Sequence, residues 1–209
     1  MIESIDNILQ IVLTAGCTIY AVFRAVASGK REWILFSLFC GVFFLGDIHY
    51  ILKLVLYPDT YEDFFTPYIC WYTSYLFLLL LLLYLINQKR RKRPPAWMYL
   101  LPVFTAGMCI FFMVKGDEIS NLFTFVLMTM VIWNAASGLR ILKQSGMMQD
   151  PKKWIYILTL VFCLLEYLLW TISFFWIGDK IYNPYFWVDT MISACFVLMT
   201  LAVRKAVDR

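Results

Sequence analysis

Three carboxylic acids stand inside long apolar runs of this 209-residue chain: Asp47 in Leu45–Tyr50 (LGDIHY), Glu166 in Leu164–Trp170 (LLEYLLW), and Asp189 near the start of the last run. An ionisable side chain near the middle of a bilayer costs between about 2.5 and 17 kcal/mol, depending on the reference state. It persists only where it faces a helix-bundle interior, has a partner or is neutral. Two carboxyls at one depth can divide acid–base work, one giving up a proton while the other, ionised, activates water. The same pair can carry a proton through a transporter, and all three can supply negative charge to a cationic ligand. Asp47 and Glu166 are therefore the candidate catalytic residues. His49, Tyr50, Trp170, Asp189 and Ser193 are the candidate substrate-binding residues.

Spacing refines these candidates. Trp170 and Ser173 follow Glu166 at i+4 and i+7, on one side of a helix, while Ser193 and Thr200 share a stripe with Asp189. His49 and Lys53 share a face at i,i+4, but Asp47 stands about 200° around the helix from His49. Asp47 thus needs a partner on another helix, or a proton. Gly46 removes a side chain beside it and lets another helix approach closely. Lys53, one turn from a helix end, is expected to extend its ammonium to the interface. Asn134 and Ser137 form a candidate helix–helix hydrogen-bonding pair.

The elements that must position these groups follow from composition. The chain is 62% hydrophobic, 19% aromatic and only 15% charged, with a mean hydropathy of +0.74. Soluble domains run at about 45–50% apolar and about 25% charged, so a soluble enzyme and a disordered chain are both excluded. A membrane-crossing helix needs about 20 mostly apolar residues. Seven runs qualify: Ile5–Ala27, Trp33–Tyr57, Tyr68–Asn87, Trp97–Val114, Ile119–Leu142, Trp154–Ile177 and Pro184–Val203. Each is continuously apolar, whereas barrel strands alternate every second residue. The expected fold is all-α: one polytopic seven-helix membrane domain over residues 1–209, with no loop long enough to form a second domain.

Fifteen of the 18 Lys and Arg residues fall on one side of this topology, including the run Lys89–Arg93 (KRRKR). The other side receives Glu3, Asp6, Asp59, Glu62, Asp63, Asp117, Glu118 and Asp179. Basic loops stay in the cytoplasm, which predicts the N-terminus outside and the C-terminus cytoplasmic. The first span starts acidic and lacks a small-residue cleavage site, so it reads as a span and not a cleavable signal. The six cysteines fall within spans and read as small packing residues. Trp33, Trp97 and Trp154 at one set of helix ends, with Trp71, Trp176 and Trp187 at the other, fit interfacial belts. The short loops match a prokaryotic inner (plasma) membrane.

Several seven-helix activities are excluded by missing residues. The last span has no lysine for a retinal Schiff base, and His49 is the single histidine, too few for a zinc hydrolase. No phosphate-cradling glycine loop, GxSxG or HExxH occurs. Breaks at matching positions in two halves, the mark of inverted-repeat transporters, are missing; Pro102 has no counterpart. No cofactor or metal is expected, and the basic residues, confined to short loops, give no nucleic-acid signature. Lys89–Arg93 reads as a topology anchor that can also attract anionic lipid headgroups.

Two segments, Ser37–Ile48 (SLFCGVFFLGDI) and Val188–Val203, resemble helices of the lysoplasmalogenase (YhhN-like) family, the first ending in that family's Leu-Gly-Asp. The resemblance implies that Asp47 is the first family acid and that Glu166 lies on the helix carrying the second. It implies hydrolysis of the vinyl-ether bond of a lysoplasmalogen, by protonation of the alkene carbon and attack of water on the resulting oxocarbenium, a logic parallel to that of two-carboxyl glycosidases. Two readings of function thus stand side by side. One is a metal-independent hydrolase of an amphipathic membrane lipid. The other is a binding, sensing or transport protein for a small cationic or amphipathic molecule.

Overall fold

The computed structural model describes residues 2–56, 65–86, 94–114, 118–176 and 182–208. Asp59, Glu62, Asp63, Asp117, Asp179 and the run Lys89–Arg93, all used above for orientation, lie outside those residues. Among the described residues the elements are α1 (Ile2–Ser28), α2 (Arg31–Leu56), α3 (Phe65–Leu85), α4 (Leu100–Met113), α5 (Glu118–Gln144), α6 (Lys152–Phe175) and α7 (Pro184–Val207). A 3₁₀ turn, Ala96–Tyr99, leads into α4. Seven helical segments of 18–26 residues are long and apolar enough to cross a membrane, α4 counted with its 3₁₀ turn. A helix satisfies its own backbone groups, the condition for such apolar segments to be stable away from water.

Boundaries differ from expectation at the ends, for local reasons. Pro102 sits in the first turn of α4, where a missing N–H costs nothing, so it starts that helix and does not break it. Helix α7 continues to Val207 because Arg204 and Lys205 are favourable in a last turn. Its start is fixed by Asn183, whose side chain accepts from Tyr185 N at 3.0 Å, and by Pro184 at the first helical position. The α1–α2 and α5–α6 turns pass through Gly29 and Gly146, at φ 63° and 68°, a region that favours glycine.

Helices α1, α2, α3, α5, α6 and α7 form a ring closed by α7 packing on α1, with α4 outside against α5. The middle of the ring is filled by Phe39 and Phe43 of α2, Phe162 of α6 and Phe196 of α7, all buried. Phe196 stacks on Phe39 at 5.0 Å and approaches Phe43 at 4.7 Å. Such ring pairs contribute about 0.5–1.5 kcal/mol each beyond burial. At the far end from the chain start, Asp208 ties the C-terminus to α1 and α2. It pairs with Arg24 at 2.6 Å and accepts from Trp33 Nε1 at 3.0 Å, while Lys30 bonds the Val207 carbonyl.

Candidate functional site

Above the phenylalanine layer the ring opens into a cavity of about 190 Å³. It is lined by Asn7 and Gln10 of α1, Phe43, Asp47 and Tyr50 of α2, and Tyr68 and Trp71 of α3. Leu169, Glu166, Trp170 and Ser173 of α6 and Tyr185 and Asp189 of α7 complete it. Ser173 is in the last turn of α6 and Tyr185 in the first of α7, so the lining runs from the depth of Asp47 and Glu166 to one end of the bundle.

All three acids share this cavity. Their residues are 4%, 4% and 3% exposed for Asp47, Glu166 and Asp189. Each is held by a neighbouring helix. Asp47 Oδ1 accepts from Trp71 Nε1 at 3.2 Å, and Asp189 Oδ1 from Gln10 Nε2 at 3.0 Å. Tyr75 and Trp170 stand within hydrogen-bonding reach of Glu166. Asp47 lies within electrostatic range of both Asp189 and Glu166. Among the described residues no Lys, Arg or His lines the cavity, so its formal charge is not offset locally.

The walls are aromatic. Trp71 packs against Tyr50 at 5.9 Å and Tyr68 at 5.8 Å, and Tyr68 reaches Trp170 at 5.8 Å. Such faces attract cations within about 6 Å of a ring centroid. Behind Glu166 lies a second cavity of about 10 Å³, shared with Tyr75, Thr124, Tyr167 and Trp170. That is about the volume one water occupies. Glu166 and Trp170 form the partition between the two spaces.

Of the residues singled out from sequence, Asp47, Tyr50, Glu166, Trp170 and Asp189 line the cavity, as does Ser173. His49 does not. It is exposed on another face of α2, as the 200° turn between it and Asp47 requires. Ser193 is fully buried one turn beyond Asp189 but is not part of the lining. Asn134 donates to the Met130 carbonyl of its own helix at 2.8 Å. Gln10, Tyr68, Trp71 and Tyr185 also line the cavity. Gln10 carried a signal, an amide inside an apolar span. By position Trp71 fits an interfacial belt, and only the fold turns it inward. No family model, curated protein or solved structure matches this chain.

Proposed function

We propose that this chain is an integral protein of a prokaryotic plasma membrane, N-terminus outside and C-terminus cytoplasmic, that binds a small organic cation for sensing or transport. One observation carries the reading: three buried carboxyl groups share an aromatic-walled cavity in whose lining, among the described residues, no basic side chain stands. Negative charge offsets the ligand's, and Trp and Tyr faces replace part of its hydration. The asymmetry of basic loops and the extension of the lining to the end where α1 starts support an opening on the outer side. The test is a titration of the detergent-solubilised chain with small alkylammonium salts, followed by tryptophan fluorescence, since Trp71 and Trp170 line the cavity. Saturable binding lost in Asp47→Asn supports the reading; no binding by any alkylammonium ends it.

A second reading, metal-independent hydrolysis of a lysoplasmalogen-like vinyl ether, is favoured by the shared cavity of Asp47 and Glu166 and by the resemblance of Ser37–Ile48 to lysoplasmalogenases. One acid would protonate the alkene carbon and the other would take a proton from water as it attacks the oxocarbenium. The hemiacetal so formed collapses to an aldehyde and the glycerophospho-base alcohol. Aldehyde release from lysoplasmalogen, lost in Asp47→Asn, is its test. Equal release by wild type and Asp47→Asn removes Asp47 from the chemistry.

A further inference from the structure

Each of two acids in the cavity is only half satisfied. Trp71 and Gln10 occupy Oδ1 of Asp47 and Asp189, whereas Oδ2 of both is buried without a hydrogen-bond partner. The Thr14 hydroxyl also acts on the Asp47 carboxyl, but it does not meet hydrogen-bond geometry with Oδ2. Its own hydrogen bonds run to the Gln10 and Ile11 carbonyls, at 2.7 and 3.2 Å. The Ser193 hydroxyl, one turn along α7 from Asp189, is a third buried oxygen without a partner. Unpaired buried acceptors are costly and call for donors from whatever fills the cavity, water or ligand.

We infer that the cavity takes its cation as a primary ammonium, whose N–H groups bond Oδ2 of Asp47 and of Asp189 while its carbon chain lies against Trp71 and Trp170. This rests on the cation-binding reading above and names the ligand class within it. A primary ammonium brings three donors on a compact head. A quaternary ammonium brings none and leaves both oxygens orphaned, however well the aromatic walls suit it. A hard divalent ion asks for six or more oxygens, against the two unpaired oxygens that belong to the cavity lining.

The experiment compares propylammonium with its N,N,N-trimethyl analogue on the full-length chain in detergent, by calorimetry and tryptophan fluorescence. The primary amine is expected to bind about ten- to hundredfold tighter, the range of one or two hydrogen bonds to a charged group. Asp47→Asn and Asp189→Asn should each narrow that ratio, with folding followed by thermal unfolding. If a variant does not fold, the wild-type ratio alone decides. Equal affinity, or tighter binding of the trimethyl compound, overturns the inference and leaves the cation-binding reading standing. Binding of neither compound ends both. Displacement of propylammonium by equimolar sodium, with potassium inert, also overturns it, because the free oxygens would then serve a metal ion.

Discussion

The indole of Trp71 occupies the space that a side chain at Gly46 would need: a Cβ built there would lie 2.8 Å from Trp71 Nε1 and 2.9 Å from its Cδ1. That same Nε1 donates to Asp47, the next residue, so the glycine admits the group that holds the acid. Gly46→Ala must push the ring aside and weaken this bond. We expect a loss of about 1–3 kcal/mol, typical of overpacking, together with weaker alkylammonium binding. Thermal unfolding and fluorescence titration in detergent check the two effects. At Gly16 nothing lies within 4 Å of an added Cβ. Gly16→Ala should therefore leave stability unchanged or raise it by up to about 1 kcal/mol.

Gly138 separates packing from binding. An added Cβ would meet Cε1 and Cζ of Tyr156 at 2.5 Å, and that ring is buried between α5 and α6. Gly138→Ala should destabilise the chain by at least as much as Gly46→Ala. Because the contact is at the opposite end of the bundle from the cavity, alkylammonium affinity of the folded fraction should not change. A parallel loss of affinity would show that the two ends are coupled.

The seven helices were legible because continuous apolar runs are long-range, redundant signals; no single residue decides them. The site was half legible. Acids at depth announce themselves, and i+4 and i+7 spacing placed Trp170 and Ser173 beside Glu166 on the cavity wall. Asp189 and Gln10 acquire their meaning only when α7 closes the ring on α1. The same holds for Trp71, since a tryptophan near a helix end serves a lipid interface or a pocket depending on rotation about the axis. His49 shows the converse: proximity in sequence to Asp47 drew attention that helical geometry does not support.

His49→Ala should accordingly bind alkylammonium salts with wild-type affinity, and, on the hydrolytic reading, release aldehyde at the wild-type rate. Tyr50→Ala, which opens the wall against Trp71, should weaken binding several-fold. Titrating the two variants side by side checks both; a loss in His49→Ala as large as in Tyr50→Ala would return the histidine to the site.

Phe196 is at the centre of the ring, with Phe39, Phe43 and Phe162 within 4.7–5.7 Å. Phe196→Ala should cost about 3–5 kcal/mol, the range for large-to-small changes in a packed core. Phe196→Leu, which keeps much of the volume, should recover most of it. Unfolding by graded denaturing detergent checks the order of the two variants.

The Arg24–Asp208 pair should make stability depend on acidity in a defined direction. Partial burial disfavours the Asp208 carboxylate, but the Arg24 and Trp33 hydrogen bonds and the charges of Arg24 and Lys30 outweigh it and hold the group below the ordinary carboxylate range. The folded chain therefore favours the ionised form. The resulting stabilisation is fully present above the unfolded value of about 3.9 and fades as pH falls through the lower folded value. Asp208→Asn removes it at every pH. The Tm of the wild type should exceed that of Asp208→Asn by a constant margin between about pH 5 and 8, and the margin should close below about pH 4. Added salt should shrink it as well, because Arg24 and Asp208 are only partly shielded from solvent. A margin that widens on acidification would mean that Asp208 stabilises the chain in its protonated form, contrary to the ion pair.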